Sequence, residues 1–203
     1  MKIKIIVLFF VSLFIIEGGI VSAQNADINL LKDINLNRNK QMDPFFMGIS
    51  NSVYPLMVAA PTALLLHGCF AHDSVSLQNG LVVGASIAFG LGVALGLKYG
   101  VNRPRPYLDF PVLDNVTTEN SASFPSGHTS TAFSVATSIS LCYPKWYVIT
   151  PMYLWAGTIG YSRMHLGVHY PSDVFMGALI GSGCAYLTYK ANKWYQKRYN
   201  VQK

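Results

Sequence analysis

LVVGASIAFGLGVALGL, residues 81–97, carries no charged side chain, and Lys98 follows it directly. An uncharged run of this length, with Gly84, Gly90, Gly92 and Gly96 along it, suits a helix solvated by lipid. Four further runs share its character: 53–70, 129–143, 146–161 and 174–189. Each falls somewhat short of the ~20 residues that a perpendicular span needs, and flanking turns make up the difference. Trp146, Trp155, Tyr161 and Tyr189 fall near the ends of runs, where amphipathic rings favour the membrane interface. Gly177, Gly181 and Ala185 let helices approach closely. The expected fold is all-α: a membrane helical bundle of five spans, preceded by a signal or a sixth span.

Composition points the same way. Of 203 residues, 51% are apolar and 12% charged, against roughly 25% charged in soluble domains. The net charge of +6 is concentrated in two places. Lys190, Lys193, Lys197, Arg198 and Lys203 form a basic tail beside an apolar run, as cytoplasmic flanks do. Lys98, Arg103 and Arg105 form a second group that suits an anion site. Neither is a face for duplex DNA, so nucleic acid is excluded as a partner. Cys69, Cys142 and Cys184 have neither CxxC nor metal spacing and read as small apolar residues.

Residues 1–23 combine two lysines, an apolar stretch and the small residues Val21-Ser22-Ala23. That is the layout of a signal peptide, or of an uncleaved first helix. Segment 24–46 is then extracytoplasmic. Its Ile28, Leu31, Ile34 and Leu36 fit a short amphipathic element at the membrane surface, or an ordinary linker. Residues 47–190 form the transmembrane domain, and 191–203 the basic cytoplasmic tail. Counting spans back from that tail puts loops 98–128 and 162–173 on the same outer face.

Those two loops hold the polar residues on which chemistry could rest. Lys98 ends a span. Arg105 follows after a short extended stretch, because a residue before proline is pushed out of the helical region. Lysine and arginine brought together suit an oxyanion. SFPSGHT, residues 123–129, precedes an apolar helix. Ser126 can cap it, Gly127 lets a ligand near the backbone, and free amides at a helix start make an anion cradle with His128 at its rim. The second loop supplies Arg163, His165, His169 and Asp173. Asp173, four residues beyond His169, can accept a hydrogen bond from one imidazole N–H and leave the other nitrogen free to attack. His165 reads as an interfacial extra. His67, His72 and Asp73 fall on the opposite face and read as structural. The cluster is rich in Arg and Lys and has no metal motif, so it favours a phosphoryl dianion over a metal.

Lys98 to Arg105-Pro106, Pro125-Ser126-Gly127-His128, and Ser162-Arg163 to His169 to Asp173 resemble the three signature motifs of the type 2 phosphatidic acid phosphatase family, which also includes the vanadium haloperoxidases. Every fixed position is filled in order and at the family's spacing. Only Arg105 of the doubled Arg-Pro fits that spacing; Arg103 does not. The resemblance implies a cofactor-free, metal-independent membrane phosphatase acting on a lipid phosphate or pyrophosphate. In it His169 attacks phosphorus, Asp173 orients it, and His128 protonates the leaving group and then activates water. Lys98, Arg105, Arg163, Ser126 and the Gly127 amide hold the phosphoryl oxygens. The implied substrates are undecaprenyl pyrophosphate, phosphatidylglycerophosphate, phosphatidic acid or lipid A. The outward-facing site and the secretory leader suggest a bacterial inner membrane, with the site facing the periplasm. A phosphotransferase on the same scaffold and a non-enzymatic transporter are the alternatives; the apolar runs argue against a soluble haloperoxidase.

Overall fold

The computed structural model describes residues 25–200, with side chains to residue 198. The leader reading of residues 1–23, and Lys203, lie outside them. Among the described residues the regular structure is entirely helical. Helix α1 covers residues 25–36. A 3₁₀ turn, Lys40–Met42, leads into α2 (Asp43–Asn51), α3 (Val53–Phe70), α4 (Ser74–Val101) and the short α5 (Pro106–Asp109). After a long loop come α6 (Gly127–Cys142), α7 (Trp146–His165) and α8 (Pro171–Asn200).

Helix α6 is the axle of the bundle and packs against α4, α7 and α8. Its sequence explains why. Thr129, Ser130, Thr131, Ala132, Ser134, Val135, Ala136, Thr137, Ser138 and Ser140 are all buried, and none is large. Neighbours can therefore approach the α6 backbone. A Cβ at Gly181 would come within 2.2 Å of the Ser130 carbonyl oxygen, and one at Gly177 within 2.7 Å of the Ser126 oxygen. The buried hydroxyls bond both within and between helices: Ser138 Oγ donates to the Ser134 carbonyl at 2.7 Å, and Ser134 Oγ to the Gly181 carbonyl of α8 at 3.2 Å. Ala132, Ala136, Ala156, Ile159 and Val53 close one side of this core, and Val83, Ile87 and Val135 the other.

The exterior is the reverse. Val58, Leu66, Phe70, Leu81, Leu95, Leu154, Phe175, Leu179 and Leu187 point outward from α3, α4, α7 and α8. An apolar surface around a hydroxyl-rich interior is that of a membrane protein. Among the described residues, two helical runs, Lys40–Phe70 and Ser74–Asp109, are long and apolar enough to cross a membrane. The reading of five spans is therefore carried only in part. Helices α6, α7 and α8 fall outside those two runs; α6 has 16 residues and is rich in hydroxyls. Helix α8 runs on through the basic residues to Asn200, so the tail continues a helix.

At one end of the bundle, His67 Nδ1 lies 3.1 Å from Ser76 Oγ, which donates to Asp73 at 2.6 Å; Asp73 also accepts from the Val75 amide at 2.9 Å. These residues cap α4 and close a turn. The other end collects α1, α2, the loop from α4 to α6 and the loop from α7 to α8. Ile28 and Leu31 of α1 are buried with Leu113 and Tyr170. The apolar face of α1 is thus spent largely on the protein itself. Asn35 pins the same corner: its amide donates to the carbonyls of Asp114 (3.0 Å) and His165 (2.9 Å), and its oxygen accepts from the Asp114 amide at 2.9 Å.

Candidate active site

Helix α4 stops at Asn102, which is left-handed (φ 46°) and donates its N–H to the Lys98 carbonyl. The chain then runs extended through Arg103-Pro104-Arg105-Pro106, as pre-proline sterics require, with Arg105 at φ −74° and ψ 147°. This turns the Arg105 side chain under the α7–α8 loop. Its Nη1 donates to the Val168 carbonyl at 3.0 Å and to His169 Nε2 at 3.1 Å. Its Nε donates to the Ser121 carbonyl at 2.8 Å. Two loops far apart in sequence are stapled by one guanidinium.

The bond to His169 fixes a tautomer. Arginine has only donors, so Nε2 must be the lone-pair nitrogen and Nδ1 carries the proton. Nδ1 faces Asp173 Oδ2 at 3.5 Å and Ser123 Oγ at 3.4 Å. Asp173 is fully buried and also accepts from Ser123 Oγ (2.5 Å) and from the Tyr170 amide (3.0 Å). Burial pushes the His169 imidazole down to about 3, with Arg105 and Arg163 adding to the fall and Asp173 opposing it. The ring is therefore neutral at neutral pH, with Nε2 free of a proton.

Arg163, at the end of α7, is 2% exposed, as is Arg105. Cations are almost never buried so far unless paired. Arg163 Nη1 donates to Ser50 Oγ of α2 at 2.7 Å, and Nη2 to Glu119; its Nε is buried with no partner among the described residues. Glu119 is the centre of the arrangement. One carboxylate oxygen meets Arg163 and lies 4.0 Å from His128 Nδ1; the other accepts from Arg105 Nη2 at 2.8 Å. Tyr107 Oη steadies the Glu119 backbone from the other side, donating to its carbonyl at 3.2 Å and accepting from its amide at 3.3 Å. A carboxylate, like a phosphoryl group, is an anion with acceptor oxygens, and here it lies where two guanidiniums and an imidazole converge.

Two cavities open on this point. One of about 520 Å³ is lined by Tyr54, Glu119, Ser121, His128 and Arg163. The other, about 210 Å³, reaches from Lys98, Gly127 and His128 to the apolar Val53, Met57 and Leu91 of the bundle. The His128 ring stands edge-on to Tyr54, with centroids 5.1 Å apart.

Most residues singled out in the sequence thus come together: Lys98, Arg105, Gly127, His128, Arg163, His169 and Asp173. Lys98 Nζ donates to the Ala122 carbonyl and lines the smaller cavity. Ser126 is turned elsewhere. Its hydroxyl oxygen caps α6, accepting from the Thr129 amide (3.4 Å) and Thr129 Oγ1 (2.9 Å), and its own amide donates to the Asp173 carbonyl at 3.0 Å. His165 is a buried strut, not an interfacial extra: Nε2 meets Asp43 Oδ1 at 2.8 Å, and the ring lies 4.2 Å from Phe46. Glu119, Ser123 and Tyr54 were not singled out in the sequence. Only the isolation of Glu119, the sole acid between Asp114 and Asp173, marked it.

Comparison with known proteins identifies the family. The PAP2 superfamily model matches residues 79–197. The undecaprenyl-diphosphatase of Sulfolobus acidocaldarius is 31% identical over 188 residues, covering 91% of this chain and 88% of that protein. The lipid A 4'-phosphatase of Bacteroides thetaiotaomicron is 33% identical over 88 residues, 43% of this chain and 39% of the relative's length. The crystal structure of a transmembrane PAP2-type phosphatidylglycerolphosphate phosphatase from Bacillus subtilis superposes with a TM-score of 0.69 at 25% identity, covering 88% of each chain. With a matching family model over most of the chain and a full-length relative above 30% identity, this protein belongs to the PAP2 superfamily.

Proposed function

We propose that this chain is an integral membrane phosphatase that releases phosphate from a lipid phosphate or pyrophosphate through a phosphohistidine on His169. One observation carries the reading: Arg105, Arg163 and His128 surround the Glu119 carboxylate beside an imidazole whose Nε2 lies 3.1 Å from Arg105 Nη1. In the reaction, Glu119 gives way to the phosphoryl group. Lys98, Arg105, Arg163 and the Gly127 amide hold its oxygens. As Arg105 Nη1 turns from His169 to a phosphoryl oxygen, Nε2 attacks phosphorus in line and the bond from phosphorus to the lipid oxygen breaks, while Asp173 steadies Nδ1–H as positive charge builds on the ring. His128 gives a proton to the departing oxygen, then takes one from the water that cleaves the N–P bond. Positioning and charge stabilisation are what phosphoryl transfer chiefly demands.

The apolar wall of the smaller cavity, Val53, Met57 and Leu91, supports a substrate with a hydrocarbon chain. The relatives named above for undecaprenyl diphosphate, lipid A and phosphatidylglycerolphosphate supply the panel. Five helices, α3, α4, α6, α7 and α8, would cross the bilayer with the basic end of α8 in the cytoplasm and the site outside. A reporter at the C-terminus that reads extracytoplasmic would reverse this orientation. Purified protein with chelator present is expected to release inorganic phosphate from at least one of undecaprenyl pyrophosphate, phosphatidylglycerophosphate, phosphatidic acid or lipid A. No release from any of them, or release only with added divalent metal, would defeat the proposal.

Glu119 makes a second prediction. A resident carboxylate competes with any incoming anion, and apparent affinity falls with the fraction of sites left open. Glu119→Gln keeps the shape and removes the charge. Inhibition by inorganic phosphate should tighten by about 10-fold on that basis. An unchanged inhibition constant would mean that Glu119 does not share the anion's place.

A further inference from the structure

We infer that Arg103 and Asp27 are positioning residues for the nucleophile: they hold Asp173, and through it His169, by a chain of alternating charges that begins in helix α1. The inference rests on the function proposed above.

Asp173 lies wholly inside the protein, where an ionised carboxylate needs a donor on each oxygen. Ser123 and the Tyr170 amide serve Oδ2 on the His169 side. Oδ1 is served by Arg103, whose Nη1 donates to it at 2.8 Å. The guanidinium is fixed in three further ways. It lies over the Tyr170 ring, 3.7 Å from the centroid. Nη1 also donates to Ser172 Oγ at 2.7 Å, and Nη2 to Asp27 Oδ2 at 2.9 Å. Asp27 in turn accepts from the Ser172 amide at 2.8 Å and from its hydroxyl at 2.5 Å, sealing the first turn of α8. The backbone of Arg103 acts too, because its carbonyl accepts from the Ser123 amide at 2.8 Å. One residue therefore places both Asp173 and the serine that shares its other oxygen.

Arg103 lines neither cavity at the site. It reaches His169 through Asp173, and through its carbonyl's hold on Ser123. This separates it from Arg105, two residues on, which bonds His169 and Glu119 directly. It also gives α1 a reason to be folded onto the site: Ile28 and Leu31 anchor the helix while Asp27 reaches the catalytic cluster.

The test uses the full chain in detergent micelles with a short-chain phosphatidic acid as probe. Arg103→Gln should lower kcat by about 10–100-fold, the usual cost of losing an outer partner of a site group, with KM within about 3-fold. Arg103→Lys keeps the charge without the fork and should recover part of that loss. Asp27→Asn should lower kcat several-fold, and in the Arg103→Gln background should add nothing, because the two act in series. A rise in KM at constant kcat would make Arg103 a substrate contact and overturn the inference. So would wild-type kcat in Arg103→Gln, or effects that simply multiply in the double variant. Should Arg103→Gln fail to fold, Asp27→Asn decides: reduced kcat at constant KM supports the chain, and wild-type kcat breaks it. His169→Ala separates the two readings. If it is dead while Arg103→Gln is normal, only this inference falls; if it is active, the proposed function falls with it.

Discussion

His169→Ala should lose at least about 10⁴-fold in kcat, the scale seen when the nucleophile of a catalytic unit is removed. The methyl group leaves nothing to attack phosphorus. The surrounding charges stay, because Arg105 retains the Val168 and Ser121 carbonyls and Arg163 retains Ser50. Binding of inorganic phosphate should therefore survive, and the loss should lie in turnover, not in affinity. A steady-state assay with a phosphate-binding control measures both. Activity within about 10-fold of wild type would remove His169 from the nucleophile's role, since losing it should cost far more than any one hydrogen bond.

Arg105→Lys should be nearly as damaging despite conserving charge. The guanidinium serves Ser121, Val168, His169 and Glu119 from three separate nitrogens. An ammonium is a point donor and cannot span them. Losing one charge-stabilising contact in the transition state costs about 10²–10³ in rate. The buried Val168 carbonyl would also lose its donor, at roughly 1–3 kcal/mol for a group left unpaired. Arg105→Lys should thus lower both kcat/KM and the melting temperature in detergent. Wild-type values of either would show that the two loops are held together by something else.

The parts of this site legible in the sequence were those whose residue types conflict with their surroundings. Lys98, Arg105, Arg163 and His169 are costly beside apolar helices, and that cost marks them as a group. The extended run of Arg103-Pro104-Arg105-Pro106 followed from proline sterics alone. Residues whose meaning depends on folding stayed hidden. Glu119 sits in a loop with no periodicity, and only three-dimensional closure carries it to the arginines. Arg103 fell outside the motif spacing, although its side chain meets Asp173. Ser126 belongs to the motif, yet its hydroxyl oxygen caps α6, because a serine before a helix is drawn to the free amides. Helix α1 offered too few apolar positions to say what they would cover, and Leu113 and Tyr170 supply the answer. The span count was hardest at α6, whose hydroxyls are buried between helices and so do not behave as polarity toward lipid.

Turnover by this route passes through a covalent bond between phosphorus and one imidazole nitrogen. It is tested most directly by quenching a single turnover of ³²P-labelled lipid phosphate in alkali, where phosphohistidine survives, and mapping the label. A transient, acid-labile label is expected on the peptide containing His169. Release of phosphate with no labelled protein at any time, or a label on another residue, would contradict it.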